Sequence, residues 1–248
     1  MNDKNKYGLS RQIPPAVKRA VRQQCGFGCV MCGDAITDYE HVDPEFSEAL
    51  SHEAKNIALL CPKHHARVTR KFLSKEQVKE AMAKPWCKRK GFSNDVFDFG
   101  NMSPLLKFGG VLLKNCPVPI MVGGVPLFKV EKPEAPRAPF LLSGTFVDSN
   151  DNQSLSIVKN QWIANASNWD VETSGGKITV REGPGNIHLR LIVELPNTLI
   201  VDRLKMSLDG YKFEANSEML SLTLKDGEIL NLTGCICDGA REAGIVFP

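Results

Sequence analysis

The spacing of apolar residues changes along this chain, and the changes mark out its elements. Residues 14–25, PPAVKRAVRQQC, open on two prolines and set Val17, Ala20 and Val21 on one stripe, which predicts a helix. ITDYEHV at 36–42 and NIALL at 56–60 predict two short strands with a loop of about a dozen residues between them. From 62 to 72 the period turns helical again. Ser74 and Gln77 form a capping-box pair ahead of a further helix over 75–84, which Pro85 ends.

Beyond residue 92 the helical pattern gives way to short apolar runs. FGNMSPLLKFGGVLLKN and PIMVGGVPLFKV share a GGV-plus-apolar unit and predict two related hairpins. EKPEAPRAP at 131–139 reads as a proline-punctuated linker. In IHLRLIVEL, Ile187, Leu189, Leu191, Val193 and Leu195 alternate onto one face of a strand. Asp226-Gly227 within MLSLTLKDGEILNL sits where a hairpin turn is needed. These signals divide the chain into 1–92, a connecting region of hairpins and linker over 93–139, and an all-β domain over 140–248. Sandwich, barrel and short β-solenoid all satisfy the C-terminal pattern.

Charge sharpens this division. Residues 1–92 carry 17 Lys and Arg against 10 Asp and Glu, a balance of +7, and residues 93–248 carry 14 against 18, a balance of −4. The basic excess is densest over 63–90, with ten basic residues and two acidic ones. Only the first part is therefore expected to face a polyanion, although a solvated lysine-rich helix face has the same composition. No apolar run approaches the length of a membrane span, and MNDKNKYGLS lacks the apolar core of a secretion signal, so no membrane association and a cytoplasmic location are expected. In that compartment the eight cysteines are expected as thiols or metal ligands.

Four of the candidate ligands fall into matched pairs. Cys29-x-x-Cys32 and Cys61-x-x-His64 each have a two-residue spacer, and 28 residues separate the pairs. That spacing lets both side chains of a pair converge on one tetrahedral ion, and thiolate with imidazole suits Zn²⁺. Gly26, Gly28 and Gly33 stand where a tight knuckle needs them. Four protein ligands leave no position for water, so the site is expected to be structural and to supply much of the folding free energy of a small region. Cys25 has the wrong spacing and is expected to be packing.

His65, next to the last zinc ligand, remains unassigned by this frame. Between the two pairs lies DYEHVDPEF, followed by Asn56, so the order along the chain is Glu40-His41, Asn56, His65. With CVMCG, YEHVDP and NIALLCPKHH, the sequence resembles the HNH nuclease family, the ββα-metal endonucleases. The resemblance is to the zinc-knuckle variant, in which the last catalytic histidine directly follows the last zinc ligand. It covers residues 13–78. It implies an α+β chain in which an N-terminal ββα-metal HNH domain with a structural zinc knuckle precedes the all-β domain. It also implies Glu40 and His65 as ligands of a catalytic Mg²⁺ or Mn²⁺, His41 as general base, and Asn56 as the residue that fixes the loop and helps to hold the base. Glu40 stands where aspartate or histidine is commoner, and His64 where the zinc frame more often has cysteine.

The residues suit that chemistry on their own terms. A divalent ion held by Glu40 and His65 would keep open positions for water and phosphate and would stabilise charge on the leaving 3′-oxygen. His41, with an ordinary pKa of about 6.5, is the side chain best able to take a proton from water at neutral pH. Arg67, Arg70 and Lys71 are predicted on the same short helix, placed to bind flanking phosphates of DNA. Successive residues on a strand face opposite ways, so the strand is expected to end, twist or bulge at Glu40-His41. Asp38, Asp43 and Glu45 are alternative carboxylate ligands. A zinc-dependent nucleic-acid-binding module without catalysis would keep the zinc frame and basic helix but have no use for Glu40, His41 and His65.

The β domain, being mildly acidic, is expected to regulate cutting through self-association or a partner, as in phage defence or restriction. His52 and His188 have no evident partners in the sequence and are read as structural or surface residues. Cys235 and Cys237 share a strand face, which with Cys116 or Cys87 raises the alternative of another metal. Trp162 and Trp169 are read as core or interface residues.

Overall fold

The computed structural model describes residues 3–247. The fold is α+β and rich in strand. The chain separates into two compact units, Met1–Asp95 with Ala164–Val171, and Val96–Ile163 with Glu172–Pro248.

In the first unit, α1 (Pro15–Cys25) starts behind Pro14 and stops at Gly26, whose left-handed backbone lets its N–H reach the carbonyls of Arg22 and Gln23. Strands β1 (Asp38–His41) and β2 (Ile57–Leu60) pair antiparallel with Glu40 opposite Ala58 and His41 opposite Ile57. All four residues of β2 are buried, which makes it the centre of the unit's core with Val21, Val30, Val68 and Val78. Helices α2 (Pro62–Thr69), α3 (Lys75–Ala83) and α4 (Trp86–Lys90) and strand β3 (Phe92–Val96) follow. The capping box forms as the sequence requires: Gln77 N–H donates to Ser74 Oγ at 3.2 Å, and Ser74 N–H donates to Gln77 Oε1 at 3.3 Å.

Residues 164–171 complete this unit from far along the chain. Arg22 donates two hydrogen bonds to the Asp170 carboxylate at 2.8 and 2.7 Å, and a third to Tyr39 Oη at 3.0 Å. Both charged groups are almost fully buried. Gln23 donates to the Trp169 carbonyl, and the Arg19 guanidinium lies over the Trp169 ring.

The second unit is built of strands: β4 (Leu105–Phe108), β5 (Val111–Lys114), β6 (Val118–Val122), β7 (Val125–Pro126), β8 (Phe128–Glu131), β9 (Leu141–Val147), β10 (Gln153–Val158) and β11 (Gln161–Asn165). β12 (Asp170–Ser174), β13 (Lys177–Gly183), β14 (Asn186–Glu194), β15 (Thr198–Leu208), β16 (Tyr211–Ala215), β17 (Met219–Thr223), β18 (Ile229–Thr233), β19 (Ile236–Asp238) and β20 (Ala243–Phe247) complete it, with the end of β11 from Ala164 and the start of β12 up to Val171 belonging to the first unit. The run β13 to β18 is an antiparallel meander in chain order, while β4 joins β15, and β19 joins β5, in parallel. Two GGV turns close the β4–β5 and β6–β7 hairpins. The segment 93–139 thus supplies β4 to β8 to the second unit, and EKPEAPRAP is the loop between antiparallel neighbours β8 and β9. Phe108, Phe128 and Phe146 from β4, β8 and β9 meet edge to face at centroid distances of 5.1 and 5.2 Å.

The alternation in 187–195 holds only in part. Leu189 and Leu191 are buried, but Leu195 lies beyond the end of β14 and is 80% exposed. Register shifts on both sides of β14 also break the period, so that His188 is buried beside Leu189.

Candidate functional site

Cys29, Cys32, Cys61 and His64 are clustered like a zinc site, with their ligand atoms all within 4.8 Å of one another. His64 Nδ1 lies 3.5 Å from the Sγ of Cys29, 3.5 Å from that of Cys32 and 3.2 Å from that of Cys61, and the Cys32 and Cys61 sulfurs are 3.8 Å apart. Tetrahedral zinc, with bonds of about 2.3 Å to sulfur and about 2.0–2.1 Å to nitrogen, sets edges of about 3.8 Å between sulfurs and about 3.5 Å between sulfur and nitrogen. The donor set fits that ion in type, number and size. The Cys32 thiol holds the Cys29 thiol down from its ordinary range and is itself pushed up by it. Cys25 is buried outside it, and burial pushes its thiol up to about 12.

The knuckle is a backbone structure. Gly33 N–H donates to the Cys29 carbonyl and Cys29 N–H to that of Asp34, while Val30 N–H ties the knuckle to the Leu59 carbonyl on β2. Gly33 has φ +86°, and a Cβ there would lie 2.1 Å from the Trp86 ring. Cys61 is the N-cap of α2, so His64 and His65 fall in the helix's first turn.

The two adjacent imidazoles diverge. His64 faces the sulfurs, and His65 Nε2 lies 3.1 Å from Glu40 Oε2 on β1. The other carboxylate oxygen, Oε1, is 3.1 Å from Lys75 Nζ at the start of α3. Lys75 also pairs with Glu45 at 3.2 Å and donates to the His41 carbonyl at 2.7 Å. Of the alternative carboxylates, Asp43 pairs with Lys79, Glu45 with Lys75, and Asp38 stands at the far end of β1 opposite Leu60. Glu40 is the carboxylate that meets His65. β1 ends at His41 without a bulge, and the exit is fixed by Val42 N–H donating to the Asn56 carbonyl at 2.8 Å. Asn56 is tied to this exit through its backbone.

His41 is buried, with 9% of its surface exposed, and its ring meets Phe46 edge to face. Burial first, then the neighbouring His52, Lys75 and Arg11, hold it down to about 4, so it is neutral at neutral pH. Its Nε2 lies 3.1 Å from His52 Nδ1. Glu40, His41 and His65 line one cleft of about 600 Å³, together with Lys4, Lys6, Arg11 and Lys75. A second cleft, of about 750 Å³, shares Glu40 and Lys75 and adds Lys71. Helix α2 ends earlier than the sequence period suggests. Only Arg67 is on it; Arg70 is its C-cap and Lys71 follows with φ +61°. All three side chains are exposed.

Two residues of the site carried little sequence signal. Lys75 is visible in the sequence only as the first residue after a cap, and His52 only as one residue of a loop. His52 is partnered by His41 and by the Ser10 carbonyl. His188 is also partnered and lies in the interior, between Ser154 Oγ at 2.7 Å and the Lys205 carbonyl at 2.6 Å. In the second unit the Cys116 and Cys237 sulfurs approach to 3.8 Å, while Cys235 is exposed and donates to the Thr233 carbonyl. Trp162 is buried and Trp169 half-buried. Among the described residues no helix is long and apolar enough to cross a membrane. No family model, curated protein or solved structure matches the chain.

Proposed function

We propose that the first unit is a metal-dependent endonuclease of the HNH type, acting on DNA, with a structural zinc ion on Cys29, Cys32, Cys61 and His64. The observation that carries this reading is the pairing of Glu40 with His65 at 3.1 Å, one residue from a clustered zinc-ligand set and in a cleft shared with His41 and four cationic side chains. Two ligands at right angles on an octahedral ion, with bonds of about 2.1 Å, stand about 3.0 Å apart, so Glu40 and His65 fit a Mg²⁺ or Mn²⁺ ion. Such an ion would supply charge neutralisation at the phosphate and at the leaving oxygen. Lys75 holds Glu40 Oε1 and leaves Oε2 directed at His65. His41, neutral and lining the same cleft, accepts the proton of the attacking water. Arg67, Arg70 and Lys71 are exposed, and Lys71 lines the adjoining cleft, so these cations suit flanking phosphates.

The second unit, assigned here to self-association or a regulatory partner, belongs to the part of the chain with a balance of −4, which disfavours contact with DNA. The deciding experiment incubates plasmid with the zinc-loaded full chain and Mg²⁺ or Mn²⁺, wild type against His41→Ala. Nicking or linearisation by the wild type, lost in a variant of equal zinc content and melting temperature, is the expected result. An inert wild type that still binds DNA would replace this reading with the non-catalytic zinc-dependent binding module. Activity in phage defence or restriction is tested by plating phage on cells with and without the chain.

A further inference from the structure

The orientation of His41 depends on a group that the nuclease motif does not contain. His52 lies in the loop between β1 and β2 and makes two contacts, His41 Nε2 to its Nδ1 at 3.1 Å, and its Nε2 to the Ser10 carbonyl at 2.9 Å. A carbonyl oxygen can only accept, so Nε2 of His52 carries a hydrogen. In the neutral ring Nδ1 then carries the lone pair and must accept. The hydrogen between the two rings therefore belongs to His41 Nε2, which leaves Nδ1 of His41 as its basic nitrogen.

We infer that His52 is a positioning residue, which fixes the tautomer and ring orientation of His41 and links both to the N-terminal arm through the Ser10 carbonyl. The inference rests on the nuclease reading for its catalytic meaning and on hydrogen-bond direction alone for its structural content. The loop that carries His52 is itself pinned. Asn5 Nδ2 donates to the Phe46 and Ala49 carbonyls at 2.7 Å each, and Lys6 pairs with Glu48. Arg11 lies over the Phe46 ring, 4.6 Å from its centroid, and that ring packs against His41. Residues 5–11 thus hold the support of the base from outside the motif. In the reaction, a water proton passes to His41 Nδ1, the water oxygen bonds to phosphorus, and the bond to the 3′-oxygen breaks with its electron pair on that oxygen. The imidazolium so formed keeps its Nε2–H directed at His52, as a base held by a third group requires.

Two measurements on the zinc-loaded full chain test this. Long-range ¹H–¹⁵N correlation at a pH where both rings are neutral should show His41 as the Nε2–H tautomer in the wild type. His52→Leu, which fills the space without an acceptor, should abolish that preference. His52→Asn, whose amide oxygen can replace the acceptor, should restore it, and it serves as the second variant if the leucine substitution fails to fold. In cleavage assays His52→Leu should lose about ten- to hundredfold in kcat with KM unchanged, and His52→Asn should recover most of the loss. An Nδ1–H tautomer in the wild type overturns the inference, as does a His52→Leu variant with native tautomer and kcat. A wild type that cleaves nothing but shows the Nε2–H tautomer sinks the nuclease reading and leaves the positioning role standing.

Discussion

Neighbouring side chains on a helix diverge by about 100°, and α2 uses that angle to turn His64 to the cysteine sulfurs and His65 to Glu40. This separation predicts different losses for two otherwise similar substitutions. His64→Ala should release zinc, measured by mass spectrometry of the purified chain, and lower the melting temperature. His65→Ala should keep the zinc and the melting temperature while abolishing plasmid cleavage. Equal zinc loss in both variants would contradict the division. At the same scale, Lys75→Met frees Glu40 to rotate, and Mn²⁺ affinity followed by calorimetry should fall about 10- to 100-fold with zinc content unchanged. Thiol reactivity gives a third check. Burial pushes Cys25 and Cys87 up to about 12, so below that pH both stay protonated and should resist alkylation in the native state. Exposed Cys235 should be modified at once.

At the scale of elements, the short-range signals in the sequence were strong. The prolines before α1, the Ser74–Gln77 box, the two-residue ligand spacers and Asp226-Gly227 are local patterns, and each element forms where they place it. Long-range geometry was not visible. Nothing in the sequence says that Lys75 reaches back to Glu40, or that His52 folds under His41, because both depend on how a loop closes. Arg70 and Lys71 were misplaced because a helical period continues past the residue where the backbone turns left-handed. The knuckle carries the test for this scale. Gly33→Ala meets both a positive φ and the Trp86 ring, so it should cost at least about 1–2 kcal/mol in denaturant titration and reduce zinc occupancy. A fully stable, fully loaded variant would show that the ring yields.

At the scale of the whole molecule, the boundary read at residue 92 misses part of the first unit, which takes back Ala164–Val171. A pairing across 148 positions leaves no local trace. Removing one partner of a buried ion pair costs about 3–5 kcal/mol, because the other charge is left stranded. Asp170→Ala should therefore destabilise the full chain by about that amount in chemical denaturation, and Arg22→Met combined with it should recover part of the loss. A fragment ending at residue 95, which also loses the Trp169 contacts, should show at least the deficit of Asp170→Ala, and an equally stable fragment would remove the ion pair from the stability of this unit.

That returning segment also sets an order of events during synthesis. A further 148 positions of chain must be made after Arg22 before the carboxylate that neutralises it is available. A nascent or prematurely terminated product therefore carries Glu40, His41 and His65 in an unfinished support. On the nuclease reading, the first unit is completed only once Ala164–Val171 has been made, after Val96–Ile163 of the second unit.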